Sequence, residues 1–102
     1  MTPTTGEIWL ADLGTETRIA VYVASGEHVH RLADRAFVAP LVPPTPSGRL
    51  PPWRVEHGPL SVAVDRLTSV ALDRLLERQG HASSATVRAV QHTVAQFVGL
   101  ER

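Results

Sequence analysis

The stretch 6–23 constrains the fold of this chain more than any other. Two runs rich in Ile, Val, Trp and Tyr flank a short polar break that opens with Gly14. Apolar and aromatic runs on either side of a glycine-containing break are typical of a β-hairpin. We therefore expect two antiparallel strands, over Glu7–Leu13 and Arg18–Ser25, with Gly14 providing the permissive backbone of the turn.

The second strand of this hairpin begins with a charged residue. Arg18 follows the polar break directly, and Glu16 lies two positions before it. A strand holds such a side chain in place at the mouth of the hairpin, where it is available for chemistry. From the residues alone, an exposed ion pair of small energetic value is the favoured explanation of the two charges.

Length and composition limit the remaining possibilities. The 102 residues predict one domain, spanning 1–102, and a hydrophobic fraction of 43% predicts that it folds. The absence of cysteine excludes disulfides and cysteine-ligated zinc. A net charge of zero gives no support for a strongly basic nucleic-acid binder, although a small nuclease with a local positive field is compatible with it. We see no bilayer-spanning run and no signal peptide, and we expect a cytoplasmic protein.

The middle of the chain is rich in proline. A third apolar run, Ala36–Ala39, ends at Pro40, and six of the eight prolines then fall within 40–52. Because proline lacks a backbone donor and has a fixed φ, we expect a stiff loop here and no strand or helix. The loop is interpreted either as a simple connection or as a binding rim, and the second interpretation makes Ser47 and Arg49 candidate ligand contacts.

Several short elements follow the loop. Alternation at Trp53–Glu56 indicates a strand, and Leu60–Val64 with Leu67–Val70 indicates another strand interrupted by a bulge. Leu72–Arg78 has the pattern of a short amphipathic turn or helix that ends at Gly80.

The last element is predicted to be a helix. Ser83 or Ser84 can cap its start, and Gly99 can end it. Apolar residues recur at spacings of three and four and form one stripe: Val87, Val90, Val94, Phe97 and Val98. Five or six short strands with one C-terminal helix indicate a mainly β fold, a small and strongly curved barrel.

The order of these pieces resembles that of the MazF/PemK toxins. The resemblance is carried by five segments, which cover nearly the whole chain: Gly6–Leu13, Arg18–Val23, Phe37–Leu41, Ser61–Leu75 and Ser84–Leu100. It implies an SH3-like barrel of the CcdB/PemK type with a C-terminal α-helix, and a homodimer. It also implies an endoribonuclease that cleaves single-stranded RNA without a metal or other cofactor, and a cognate MazE-like antitoxin peptide as partner.

The same resemblance assigns roles to residues of the hairpin. The catalytic arginine of the family falls on Arg18, and the acidic residue of its first loop falls on Glu16. A fixed guanidinium can neutralise the doubly charged phosphorane that forms when the 2′-hydroxyl attacks the phosphate. Glu16 is then a candidate general base or a residue that orients Arg18.

The sequence departs from the family pattern at three points. Val42 replaces the family's catalytic threonine, and Ile19 replaces the proline that follows the family's catalytic arginine. The first loop, Gly14–Thr17, is shorter than the loop that usually covers the RNA in this family. Since valine has no hydrogen-bonding group, a hydroxyl would have to come from the proline-rich loop, from Thr45 or Ser47. Catalysis is therefore altered, weakened or lost.

Two alternatives remain open. Arg35–Leu41 and Phe97–Leu100 also resemble segments of CcdB, a gyrase poison of the same fold, although Val98 stands where CcdB has a tryptophan. The second alternative is a non-catalytic binding module, which has the same fold but no longer catalyses a reaction.

The histidines and tryptophans give weaker signals. His28 and His30 are too few for a metal site and are interpreted as exposed loop residues. With an RNA substrate, Ser47 and Arg49 of the proline-rich loop become candidate RNA contacts. His28 and Arg31 are further candidates, by stacking on bases or contacting phosphate. Trp9 is expected in the core, and Trp53 in the core or at a dimer interface.

Overall fold

A computed structural model describes residues 2–14, 17–45 and 48–99. The described elements are seven strands, two α-helices and two short 3₁₀ turns. In chain order they are β1 (Glu7–Asp12), β2 (Arg18–Val23), α1 (Glu27–Ala33), β3 (Arg35–Val42), β4 (Arg54–His57), β5 (Leu60–Ala63), a 3₁₀ turn (Val64–Arg66), β6 (Thr68–Ala71), a second 3₁₀ turn (Leu72–Arg74), β7 (Leu75–His81) and α2 (Ser84–Phe97).

The predicted hairpin is confirmed and forms the centre of the sheet. β1 and β2 pair in an unbroken antiparallel register from Ile8 opposite Tyr22 to Asp12 opposite Arg18. The strand order is β4-β5-β3-β2-β1-β7, with β6 on a separate part of β3. Gly14 has a φ of 88°, in the left-handed region that glycine adopts without strain.

The strand β3 is shared by three neighbours. β2 pairs with one of its edges through Val38–Pro40, while β6 pairs with the other edge up to Val38 and β5 takes over from Leu41. This arrangement curls the sheet strongly. The result is the expected mainly β, barrel-like fold, although no ladder in the described part of the chain links β6 to β7 and closes the barrel.

The prediction that no strand continues past Pro40 is wrong. β3 extends through Pro40 to Val42, and Pro40 lies opposite Val21. Ala24 donates its backbone N–H to the Phe37 carbonyl, so alternation places the Pro40 nitrogen on the edge away from β2. On that edge Pro40 falls between the residues that pair with β6 and those that pair with β5, where no donor is needed.

Two predictions for the second half of the chain also need correction. The residues 65 and 66 belong to a 3₁₀ turn that separates two strands, β5 and β6, instead of forming a bulge within one. The segment Leu72–Arg78 is a 3₁₀ turn followed by the start of β7, not an amphipathic helix. β7 is held by its ladder with β1, in which Leu75 lies opposite Ala11, and this non-local pairing overrides the local pattern.

The sheet has a core on each of its two faces. Inside the barrel lie Trp9, Ala11, Val21, Val23, Ala36, Val38, Val70 and Leu75. On the outer face α2 covers a second cluster formed by Ile8, Tyr22, Ala39, Val62, Val64, Ala82 and Val90. Trp9 is therefore in the core as expected, whereas Trp53 is 40% exposed and is not.

The helix α2 is confirmed close to its predicted bounds. The Ser83 hydroxyl accepts the backbone N–H of Thr86 at 3.1 Å and caps the helix start. Val90 of the predicted stripe is buried, and Val87 and Val94 pack against the outer core. Phe97 and Val98 at the end of the stripe are exposed, so the apolar face of the helix extends further than the core that it covers.

Candidate functional site

Arg18 is the first residue of β2, and its side chain is exposed. Cross-strand partners in this hairpin share a face, so Arg18 points to the same side of the sheet as Asp12, Ala20 and Tyr22. Among the described residues, none forms a hydrogen bond or ion pair with the Arg18 guanidinium within the usual distances. Within the described part of the chain, the guanidinium donors are therefore open to a ligand.

A groove of about 390 Å³ lies on this outer face, and Arg18 is close to it without being one of its lining residues. Its floor is formed by Ile8, Ala20 and Leu41, and its walls by the β4–β5 turn and the residues 79–81 of β7. Ala20 is two residues from Arg18 on the same face of β2, a separation of about 7 Å along the strand. A chain that occupies the groove therefore passes within reach of the guanidinium.

Asp12 lies next to Arg18 and is already engaged. Its Oδ1 accepts the backbone N–H of Gly14 at 3.0 Å, and its Oδ2 lies 3.4 Å from Nη1 of Arg74. Since Leu75 pairs with Ala11, Arg74 stands across from Asp12 on the side opposite Arg18. The three residues form a row of alternating charge across β2, β1 and the start of β7.

The hydroxyl of Thr45 has a bond within its own loop. Thr45 Oγ1 donates to the carbonyl of Arg49 at 2.7 Å, and the backbone N–H of Gly48 donates to the Thr45 carbonyl. This loop leaves β3 at the end of the sheet where β2 begins, so Thr45 and the exposed Arg49 are on the Arg18 side of the molecule. The roles of Thr45 in catalysis and Arg49 in RNA binding stay predictions. Glu16 and Ser47 lie outside the described residues.

The other two predicted RNA contacts are on α1. His28 is exposed there, and the exposed Arg31 lies 3.9 Å from Glu27 in a pair one helical turn apart. α1 follows the far end of β2, which is about 17 Å from Arg18 along the strand. The structure does not bring His28 and Arg31 to the groove, and their contact with RNA stays a prediction.

The interpretation of His30 as an exposed loop residue is wrong. Its ring is fully buried, with Nδ1 2.9 Å from the Pro3 carbonyl and Nε2 2.6 Å from the Ser25 hydroxyl. A carbonyl oxygen only accepts, so Nδ1 carries a hydrogen and donates it to Pro3, while Nε2 is hydrogen-bonded to the Ser25 hydroxyl. The Ser25 oxygen accepts in turn from the backbone N–H of Phe37. Sequence reasoning missed this role because the partners are distant in the chain.

Another hydroxyl that sequence reasoning missed lies beside Val42, the position of the family's catalytic threonine. Val42 pairs with Ser61 of β5, and the Ser61 side chain is buried without a hydrogen-bond partner among the described residues. The burial separates this hydroxyl from any ligand in the groove. The buried serine therefore does not replace a threonine hydroxyl at the surface.

Two groups outside the groove have shifted pKa values. Burial alone would raise the pKa of Glu7, but bonds from the Thr4 N–H and Trp9 Nε1, together with the Arg78 guanidinium at 3.1 Å, bring it below the usual range. Burial raises the pKa of Tyr22 to about 12, and its hydroxyl has no partner in the described structure. Both are buried groups of the structural framework.

Comparison with known proteins agrees with this architecture. Residues 4–98 match the profile of a family described as PemK-like, MazF-like toxins of type II toxin–antitoxin systems. None of the curated protein sequences is similar enough to count as a match.

Solved structures give the same fold. An endoribonuclease in complex with its cognate antitoxin, from a mycobacterial species, superposes with a TM-score of 0.85 at 22% identity, covering 99% of each chain. MazF in a MazE–MazF crystal from Deinococcus radiodurans gives 0.82 at 15% identity, over 99% of this chain and 100% of that one. The Mycobacterium tuberculosis toxin MazF-mt6 gives 0.72 at 17% identity, over 94% and 99%. At these identities the similarity establishes the fold.

Proposed function

Since this chain belongs to the PemK-like, MazF-like toxins of type II toxin–antitoxin systems, we propose that it is an endoribonuclease that cleaves single-stranded RNA. The observation that carries this proposal is the position of Arg18. Its guanidinium is exposed, lies beside a groove on the outer face of the sheet, and has no partner among the described residues. An arginine buried beneath its own chain, or far from any groove, would not fit this role.

The reaction that suits this site uses the RNA as its own nucleophile. The 2′-hydroxyl next to the scissile bond loses its proton and attacks the phosphorus. The bond to the 5′-oxygen of the next nucleotide breaks, that oxygen takes up a proton from water, and a 2′,3′-cyclic phosphate forms. The five-coordinate transition state carries extra negative charge on its oxygens, and the planar guanidinium of Arg18 can donate two parallel hydrogen bonds to them. We expect this electrostatic term to supply most of the rate enhancement that the described residues provide.

A general base belongs to the same proposal. Glu16 is the candidate for removing the 2′-hydroxyl proton, and Thr45 is the candidate for supplying a hydroxyl to the reaction. Thr45 would first have to release its bond to the Arg49 carbonyl. We therefore propose that Arg18 contributes more to catalysis than either of these residues.

The partners follow from the same family membership. We propose that the chain functions as a homodimer in the cytoplasm and is inhibited by an antitoxin peptide that occupies the RNA groove. A complex of a similarly folded mycobacterial endoribonuclease with its cognate antitoxin supports an antitoxin as the partner. No helix in the described residues has the length and apolar character to cross a membrane.

The test is a cleavage assay on a long natural RNA. Purified protein is incubated with the RNA in the presence of a chelator, and cut ends are mapped by primer extension. We expect cuts at a short recurring sequence with wild type, and none above background with Arg18→Ala. Intact RNA with wild type, or equal cutting by both proteins, would reject the proposal, and trapped DNA breaks in a gyrase assay would support the CcdB-like alternative instead.

A further inference from the structure

A second cavity, of about 310 Å³, opens next to the row of charges that begins at Arg18. Its lining includes Asp12 and Gly14 at the end of β1, Arg35 at the start of β3, and Arg74 in the turn before β7. These residues are far apart in the chain, and the curl of the sheet brings them together. Two guanidinium groups therefore line one cavity on a protein whose net charge is zero.

The Arg35 side chain is held in a fixed position. Its Nε donates to the Ser69 hydroxyl at 2.7 Å and its Nη2 to the Ser69 carbonyl at 3.0 Å. A guanidinium has five N–H donors, so three have no partner in the part of the chain that the structure describes and can meet a ligand. Because the Arg35 guanidinium is already held by Ser69, binding an anion costs little additional side-chain entropy.

Arg74 is held more loosely. It contacts Asp12 through Nη1 alone, at 3.4 Å, and its side chain is 52% exposed. With two arginines and one aspartate, the cavity carries a formal charge of +1. Asp12 therefore orients Arg74 while it neutralises only part of the positive charge.

The register fixes the position of this cavity relative to Arg18. Asp12 lies opposite Arg18 on β2, and Arg74 lies on the other side of Asp12. With neighbouring strands about 4.8 Å apart, Arg18 and Arg74 are separated by about 10 Å. One extended nucleic-acid strand can contact both positions.

We propose that Arg35 and Arg74 form a second phosphate-binding site, which holds a backbone phosphate of the RNA adjacent to the phosphate at Arg18. This inference rests on the proposed ribonuclease function. This second site increases the affinity for RNA and fixes the position of the RNA strand on the protein, while Arg18 acts on the scissile phosphodiester. It recognises the phosphodiester, without reading the base.

The first experiment measures binding of a short 2′-O-methyl RNA of mixed sequence, which cannot be cleaved, over a range of salt concentrations. We expect Arg74→Gln and Arg35→Gln each to weaken binding by about tenfold and to make the slope of log affinity against log salt shallower by about 0.7. Arg88→Gln, which removes the same charge from an exposed position on α2, is the matched control and should leave both values near wild type.

Asp12→Asn separates electrostatics from structure. The asparagine oxygen can still accept the Gly14 N–H, but the negative charge next to Arg74 is lost. We expect binding to become tighter by about threefold, opposite in sign to Arg74→Gln. Weaker binding in both variants would mean that the ion pair is purely structural, and would overturn the proposal.

The last arm titrates the full-length protein with inorganic phosphate and follows the side-chain N–H signals of arginine by NMR. We expect the Arg35 Nε–H signal to shift, and short RNA to compete with phosphate for the same change. A shift that RNA does not compete for would assign the cavity to a free anion and overturn the RNA site. If the protein does not cleave RNA but both glutamine substitutions weaken RNA binding as expected, the ribonuclease proposal is rejected and the phosphate site is retained. If the protein cleaves RNA and neither glutamine substitution changes binding, the phosphate site is rejected and the ribonuclease proposal is retained.

Discussion

The molecule has two clusters of polar and charged side chains that are bonded in very different ways. The N-terminal cluster consists of the side chains of Glu7, Ser25 and His30, together with the backbone carbonyl of Pro3. The arginine cluster consists of Asp12, Arg18, Arg35 and Arg74. In the N-terminal cluster Glu7 and His30 are buried. Both carboxylate oxygens of Glu7 and both ring nitrogens of His30 have hydrogen-bond or ion-pair partners. In the arginine cluster, counting only partners among the described residues, Arg18 has none, and Arg35 and Arg74 each have donors that are not used.

The difference shows how the same kinds of residue serve stability in one place and function in another. Fully bonded buried groups define one arrangement of the chain and leave nothing for a ligand. Exposed guanidinium groups fixed by a strand or by a serine add little to stability but are ready for an anion. We therefore expect substitutions in the arginine cluster to change activity and those in the N-terminal cluster to change stability.

The largest effect is expected at Arg18. Replacement by alanine should lower the RNA cleavage rate by about 10²–10³-fold, the usual cost of removing one preorganised donor to a transition-state oxyanion. The melting temperature should stay near that of wild type, since Arg18 is exposed and unpaired in the described structure. Cleavage kinetics and thermal unfolding on the same preparation check both statements, with Arg88→Ala as the matched control.

The second effect is expected at His30. Alanine here removes a buried ring and its hydrogen bonds to the Pro3 carbonyl and the Ser25 hydroxyl, which should lower the free energy of unfolding by about 2–4 kcal/mol. His28→Ala, exposed on the same helix, should change it by less than about 0.5 kcal/mol. Urea denaturation measures both, and equal stability of the two variants would contradict the structural role of His30.

A smaller effect, dependent on pH, is expected at Glu7. The pKa of this carboxyl is lower in the folded protein than its ordinary value of 4.5, so folding favours the charged form. Its contribution is complete above pH 4.5 and is lost as the pH falls through the folded-state pKa. At neutral pH, Glu7→Gln should lower the free energy of unfolding by about 1–3 kcal/mol.

The control for Glu7 is Glu27→Gln, which removes a carboxylate from an exposed surface pair. Urea denaturation at several pH values should show the deficit of the Glu7 variant shrinking below pH 4.5, with little change for the control. A deficit that grows as the pH falls would show that the carboxylate is not stabilising.

The smallest effect is expected at Ser69. Alanine frees the Arg35 fork from its hydroxyl partner without removing charge, so RNA binding should weaken by about two- to threefold at unchanged salt slope. Thr68→Ala, on the same strand and exposed, should bind as wild type does. Binding of the uncleavable RNA by fluorescence anisotropy checks both variants.

Local pattern determined much of this protein. The β1–β2 hairpin follows from two apolar runs around Gly14, because strand propensity and turn geometry act over few residues. The helix α2 follows from the Ser83 cap and the spacing of its valines. Arg18 stood out for the same reason, since its place at the start of a strand is visible in the sequence.

Tertiary structure decided the rest, because the deciding interactions join residues that are far apart in the chain. β7 is a strand only because β1 offers it a ladder, and Pro40 is tolerated in β3 only because neither β6 nor β5 pairs with it there. His30 is buried because Pro3 and Ser25 surround it. The cavity that joins Arg35 to Arg74 exists only where a curled sheet brings three separate segments together, and no local pattern encodes such an encounter.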